Sequence, residues 1–501
     1  MSSPRKGVSR WLLVGSGLSL FLLYLLGVNG YWDTGGDSAR YFILGEALAE
    51  GKGFRLINMP TAPVFVKLPP LFPLILAMGI QGLRQFGNLA RMWPLLKTIS
   101  LLSFWGAMVP LYILARRYEG RGRAVLAVVL TLTNPWVYRY ATMLRPEGLY
   151  VLFTLSAILL VVRSEALEGR LARWALVFGV VSAALAWLTR TVGIVLLLAL
   201  VVYFAMRRRW KRVLLTVAVS GFISMPWAFY LIRVRGERVP DNYLAELFGQ
   251  GYQGARMLIA RMGSYGTSWA GLLFYAPSRV LAMAGHRGWS ALLLSGLGWL
   301  SLGVVGYFGW TVGRGGTRRL LALYLAGYVI VTLLWPWQGE KFLVPLLPVV
   351  MLFLVAFLPA PIGRGRRWLA LLLALYVGAN LVGVAVVCEQ QVFERYPGPW
   401  QDYQAVADWI EREIPAEAVV MARKPYLLYL WSAHRTVPYP SRWDDESLER
   451  YLQTSSADYL VVAEVRPADE MKMASFVRRH PALFEPVHLF STATLYRVVK
   501  P

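Results

Sequence analysis

The stretch VGIVLLLALVVYFAM (192–206) is followed at once by RRRWKR (207–212). An uncharged apolar run of this kind approaches the ~20 residues that cross a bilayer as a helix. The basic block behind it marks the side on which such a helix ends. The rest of the chain repeats that alternation. Of its 501 residues 57% are hydrophobic and 16% charged, with a mean hydropathy of +0.48. Soluble domains sit nearer 45–50% apolar and about 25% charged. The composition therefore describes a polytopic helical membrane protein and excludes a disordered chain, a coiled coil and a disulfide scaffold. The net charge of +24 is spread between apolar runs rather than gathered on one face. That pattern sets membrane topology and gives no reason to expect a nucleic-acid partner. The single cysteine, Cys388, excludes intramolecular disulfides and a cysteine zinc site.

Working outward, Arg5, Lys6 and Arg10 precede an apolar run from Trp11 to Val28, read as an uncleaved first helix. Further runs lie near 92–115, 124–137, 147–162, 174–188, 192–206, 213–232, 289–312, 320–335, 342–360 and 368–388. The count is about eleven spans. Five short connections (116–123, 163–173, 207–212, 313–319 and 363–367) carry 18 Lys and Arg, whereas the short connections on the other side carry only Arg139, Arg145, Arg190 and Lys341. The asymmetry predicts a cytoplasmic N-terminus, and an odd span count then places the C-terminus outside. Two outer loops are long, 29–91 and 233–288. Their stretches 39–49, 70–83 and 269–284 read as interfacial segments. No internal repeat of the transporter kind is visible.

After Cys388 the character changes. Residues 1–388 form the membrane domain, and residues 389–501 read as a small extracytoplasmic α/β domain. Gln401–Glu413 has the pattern of an amphipathic helix. Ala418–Ala422, Tyr459–Ala463 and Thr494–Val499 read as strands. Asp444 reads as the N-cap of a helix over Ser447–Leu452. The run Trp443-Asp444-Asp445-Glu446 resembles a metal cluster only superficially. His286, His434, His480 and His488 lack ligand spacing, and no Walker or dinucleotide motif is present.

Ionisable groups at membrane level are costly, so those outside the basic clusters carry the information. The first outer loop opens Tyr31-Trp32-Asp33-Thr34-Gly35-Gly36-Asp37-Ser38-Ala39-Arg40-Tyr41. Asp37 has two readings. It caps a helix starting at Ser38, or, with a pKa raised by partial desolvation, it acts as general base on an incoming hydroxyl. Asp33 and Glu147 are possible second acids. Lys67, Arg145, Arg190 and Lys341 each border a span on the predicted outer side. They read either as interfacial anchors or together as a basket for a lipid phosphate.

In these residues the chain resembles the glycosyltransferase-C superfamily, in the branch of protein O-mannosyltransferases and lipid A aminoarabinose transferases. Asp37-Ser38-Ala39-Arg40-Tyr41 is similar to the acidic motif of its first outer loop, and Lys67-Leu68-Pro69-Pro70-Leu71 to its lysine beside a double proline. Arg145-Pro146-Glu147 resembles its second acidic site, and Lys341-Phe342-Leu343-Val344-Pro345-Leu346-Leu347-Pro348 its basic-aromatic-proline motif. Ser38, Val66 and Leu68 depart from the pattern, so neither a bound metal nor the lipid A acceptor is carried over. The resemblance implies a sugar donor on a polyprenyl monophosphate and a protein, lipid or glycan acceptor. It implies an inverting attack with Asp37 as base, and Lys67, Arg145, Arg190 and Lys341 on the departing phosphate. No metal ligand is assigned, and a divalent ion (Mg or Mn) is left open as cofactor. The implied location is the plasma, or inner, membrane. Two other readings stand beside this one: a transporter or lipid flippase, and a pyrophosphate-lipid-dependent glycan ligase or polymerase.

Overall fold

The computed structural model describes residues 5–237, 254–275, 289–312, 316, 318–335, 338–358, 366–439 and 444–499. Helix α1 (Arg5–Leu25) is followed by α2 (Asp37–Ala49), α3 (Leu71–Phe86), the short α4 (Leu89–Met92) and α5 (Lys97–Glu119). Then come α6 (Arg121–Leu132), α7 (Pro135–Ala141), α8 (Glu147–Ser164), α9 (Gly169–Thr189), α10 (Ile194–Met206) and α11 (Trp210–Arg233). The bundle continues with α12 (Gly254–Leu273), α13 (Trp289–Val312), α14 (Arg318–Leu334), α15 (Leu347–Phe357) and α16 (Arg366–Val392). Among the described residues six helices are long and apolar enough to cross a membrane, and four further apolar helices are shorter.

Two departures from the expected spans have local causes. The run 124–137 is not one helix. α6 stops after 12 residues, and Asn134 turns the chain by accepting hydrogen bonds from the amides of Trp136 (3.0 Å) and Val137 (3.4 Å), with Pro135 at the first helical position. The expected loop 233–288 contains α12, which lies against α13 so closely that a Cβ on Gly298 would come 2.1 Å from the Gly266 carbonyl oxygen. Small residues permit this backbone contact, a common way for helices to associate in lipid. Of the segment 269–284, the part beyond Tyr275 lies outside the described residues.

Several basic connections meet at one end of the bundle. Glu119 pairs with Arg123 (3.0 Å) and, across the bundle, with Arg318 (2.8 Å). Glu165 joins Arg207 (2.6 Å) to Arg209 (2.8 Å). These pairs tie the segment 116–123 to Arg318 and the segment 163–173 to 207–212.

The opposite end carries a five-stranded sheet. α17 (Gly398–Glu413) leads to β1 (Val419–Ala422), α18 (Pro425–Ser432), β2 (Arg435–Pro438), α19 (Asp445–Thr454) and β3 (Tyr459–Ala463), then α20 (Pro467–Arg479), β4 (Phe484–Leu489) and β5 (Ala493–Val498). The strand order is β2-β1-β3-β5-β4, parallel between β2, β1 and β3 and antiparallel through β5 and β4. β1 is buried at every position, which suits a central strand covered on both faces. The sequence reading found β1, β3 and β5, whereas the edge strands β2 and β4, mostly polar or interrupted by proline, escaped it. Asp444 caps α19 through the Ser447 amide at 2.8 Å. Asp445 and Glu446 pair with Arg479 and Arg450. Trp443 lies outside the described residues.

The sheet unit is docked by named contacts. The Tyr396 hydroxyl accepts from the Trp32 amide at 3.0 Å, and its ring stacks on Tyr31. The Thr436 amide donates to the Asn58 carbonyl at 2.7 Å. Leu427 of α18 is fully buried in a cluster with Trp32, Phe42 and Phe72 of the first long loop.

Candidate active site

The turn between α1 and α2 is built from glycine and aspartate for steric reasons. Gly36 has φ 81°, a left-handed conformation that side chains disfavour. A Cβ on Gly35 would lie 2.7 Å from Asp33 Oδ1 and 3.1 Å from Arg145 Nη2. The turn therefore lets a guanidinium approach two carboxylates.

Asp33 is almost fully buried and uses both oxygens. Oδ1 accepts from Arg145 Nη2 at 2.6 Å, and Oδ2 accepts from the Ser38 amide at 3.1 Å. Asp33, not Asp37, therefore serves the free amides of α2. The helix begins at Asp37 itself, whose side chain makes no cap bond. Instead Asp37 Oδ2 accepts from Lys341 Nζ at 3.0 Å and from Arg145 Nη1 at 3.3 Å. Arg145 comes from the turn before α8 and stacks over Tyr140 at 5.1 Å. Lys341 comes from the 3-10 turn Glu340–Phe342 before α15. One residue past Pro146, Glu147 Oε1 accepts from Arg190 Nη1 at 2.6 Å.

The electrostatics reverse one expectation. Burial pushes the Asp37 carboxyl upward, but Lys341, Arg145 and Arg40 outweigh it and hold the group well below the ordinary carboxylate range. Its pKa is thus lowered, not raised, because desolvation brings cations with it. Burial likewise acts against ionisation of Asp33, and Arg145 overcomes it. For Arg190, burial opposes the charge and Glu147 restores it, leaving the guanidinium more firmly protonated than usual.

Six of the seven residues singled out in the sequence thus come together: Asp33, Asp37, Arg145 and Lys341 in one network, with the Glu147–Arg190 pair adjoining it. Lys67 is half-buried in the loop before α3, which the Arg55–Val64 bridge pins upstream.

Sequence reasoning gave no role to four features. Lys97, 1% exposed inside an apolar run, donates to the Tyr31 carbonyl (2.7 Å) and to Asn29 Oδ1 (3.3 Å), fixing the approach to the acidic turn. A lone lysine within a span was the available signal. Arg40 is stacked over Phe65 at 5.3 Å and Tyr426 at 4.5 Å. Lys424, at the start of α18, donates to the Gly35 carbonyl at 2.9 Å. Burial and the nearby Arg466 bring its ammonium down to about 8, against the opposing pull of Asp37 and Asp33. Finally, α8 faces α14 with a polar seam in which Tyr150 and Tyr324 hydroxyls meet at 2.9 Å. The Tyr328 hydroxyl and Glu147 Oε2, both buried, have no hydrogen-bond partner among the described residues.

Among the described residues no group of three His, Cys, Asp or Glu side chains forms a metal site. The acids that do converge, Asp33 and Asp37, are already engaged by a guanidinium and an ammonium, a donor set that does not fit a divalent ion.

Residues 67–230 match the family described as dolichyl-phosphate-mannose-protein mannosyltransferase. The segment begins at Lys67 and contains Arg145, Glu147 and Arg190. Among curated proteins no relative matches. Solved structures do. Cupriavidus metallidurans ArnT in the apo state superposes with a TM-score of 0.63 at 15% identity, over 98% of each chain. The same protein bound to undecaprenyl phosphate gives 0.62 at 16% identity, over 99% of each chain. The Archaeoglobus fulgidus oligosaccharyltransferase AglB, in complex with an inhibitory peptide and a dolichol-phosphate, gives 0.56 at 13% identity, over 89% of this chain and 69% of that one. The fold is that of the glycosyltransferase-C membrane enzymes. Among the described residues six helices are long and apolar enough to cross a membrane, so the chain is a multi-pass membrane protein with this fold, and the segment 67–230 within it carries the mannosyltransferase family match.

Proposed function

We propose that this protein transfers a sugar from a polyprenyl monophosphate donor to an acceptor hydroxyl at the outer face of the plasma membrane, with inversion and with Asp37 as general base. The observation that carries the reading is the accessibility of one acid. Asp37 is 28% exposed and, among the described residues, tethered only through Oδ2, whereas Asp33 and Glu147 are each 3% exposed. Asp37 Oδ1 is therefore the carboxylate oxygen able to accept a proton from an incoming hydroxyl.

The cations complete the mechanism. In the resting site Lys341 and Arg145 spend their charge on Asp37. The donor phosphodiester brings a competing anion, and as Lys341 and Arg145 turn toward it the field that depresses Asp37 relaxes. Asp37 gains basicity when an acceptor needs it. The hydroxyl oxygen attacks the anomeric carbon, its proton passes to Asp37, and the bond to the phosphate oxygen breaks. Negative charge grows on that phosphate, where Arg145, Lys341, Arg190 and Lys67 stabilise it.

The fold shared with ArnT bound to undecaprenyl phosphate and the mannosyltransferase family segment support the donor class. The test supplies purified protein in liposomes with polyprenyl-phosphate sugars and, in parallel, pyrophosphate-linked ones. Release of free polyprenyl phosphate from the monophosphate donors alone, with inverted anomeric configuration in the product, is the expected result. Release from pyrophosphate donors alone would replace this reading with a ligase, and sugar-lipid movement without bond breakage would replace it with a flippase.

A further inference from the structure

Three cations at the acidic turn are each held by a carboxylate: Arg145 holds Asp33 and Asp37, Lys341 holds Asp37, and Arg190 holds Glu147. Lys424 differs. It reaches the turn from the sheet unit, is half-buried beside the Trp400 ring at 5.9 Å, and donates to a backbone carbonyl, Gly35, at 2.9 Å. Among the described residues no carboxylate lies within ion-pair distance of it. The charged groups facing it are Arg466 and Arg423 from its own unit and Asp37 and Asp33 from the turn, the two acids being already engaged by Arg145 and Lys341.

A partly desolvated ammonium loses hydration that one neutral carbonyl does not replace. Two of its three donors remain for a ligand. Like-charged neighbours behind it and neutralised acids in front make the local field favour an arriving anion. We infer that Lys424 is an anion-binding group of this site, taking a phosphate or carboxylate oxygen of a substrate at the mouth of the Asp33–Asp37 turn. The inference rests on the reading of the turn as a glycosyl-transfer site. Two sources present this chemistry there, the donor's phosphate and an acidic group on the acceptor. In either case the sheet unit supplies a substrate contact and is not merely a support for the loop.

The experiment measures acylation of Lys424 in the full-length protein in liposomes, by a brief pulse of acetic anhydride and mass spectrometry of its peptide. Three additions are compared: polyprenyl monophosphate in the membrane, soluble glucose 1-phosphate as a phosphorylated-acceptor probe, and uncharged polyprenol. Labelling is expected to fall at least about ten-fold with one anion and to be unchanged by polyprenol. Protection by the lipid phosphate assigns the donor, and protection by glucose 1-phosphate alone assigns the acceptor side. Lys424→Gln should weaken the protecting anion about 10- to 100-fold, as loss of a charge-assisted contact does, while Lys424→Arg stays within a few-fold of wild type. Equal protection by polyprenol, or protection by neither anion with unchanged lipid-phosphate affinity in Lys424→Gln, overturns the inference. Protection by glucose 1-phosphate in a protein that cleaves no polyprenyl-linked sugar would uphold the anion group and refute the transferase reading.

Discussion

Replacing Asp37 with asparagine separates chemistry from folding because of where its contacts lie. The carboxylate is 28% exposed and its partner Lys341 34% exposed, so their pair is partly screened. Losing it costs at most about 1 kcal/mol of stability. Arg145 keeps Asp33 at 2.6 Å, so no buried guanidinium is stranded. The side-chain amide that replaces the carboxylate cannot take a proton, and a positioned base contributes about 10²–10⁴-fold, equivalent to about 3–5 kcal/mol of barrier. Asp37→Asn should therefore lower polyprenyl phosphate release at least about 100-fold while thermal unfolding in the same liposomes shifts little. Turnover within about three-fold of wild type would refute the base assignment. So would a loss of release that merely follows a loss of folded protein.

Asp33→Asn should do the opposite in rank: it leaves Arg145 buried without its nearest counter-ion, costing about 3–5 kcal/mol, read as a lowered unfolding temperature before any activity is measured. The pH dependence follows from the depressed carboxyls. Because Asp37 titrates below its unfolded value of 3.8, its stabilisation is fully present above about pH 4 and is lost only as pH falls further through the folded value. The stability difference between wild type and Asp37→Asn should thus be flat from pH 7 to about pH 4.5 and close below it; a gap that closes between pH 7 and 5 would contradict the site's charge balance. Tyr328→Phe removes a buried hydroxyl without a protein partner among the described residues and should leave the unfolding temperature unchanged or higher, whereas Tyr324→Phe strands the Tyr150 hydroxyl and should lower it.

Much of this was legible in the sequence because membranes impose it. Apolar runs and basic connections had to segregate, and the strands β1, β3 and β5 are short apolar segments. What failed was local geometry inside apolar runs. Nothing in hydropathy shows that Asn134 stops α6 early or that α12 forms within a polar-looking loop, since capping and helix contact through Gly266 and Gly298 decide both. At the site, residue types were readable and roles were not. Asp33 and Asp37 are both acids before a helix, and only the approach of Arg145 and Lys341 from segments more than a hundred residues away separates the cap from the exposed carboxylate. Lys424 had no local signal at all, because its meaning lies in a carbonyl 389 residues upstream.

That separation has a consequence in time. Ribosomes extend chains at about 5–20 residues per second, so the 389 residues between Gly35 and Lys424 take roughly 20–80 s to appear. For that interval the acidic turn, the Asn58 carbonyl that later meets Thr436 and the apolar face that later covers Leu427 are all made and wait uncovered. The site closes only when α18 and β2 arrive, so a chain stopped before them inserts its helices without completing the centre they surround.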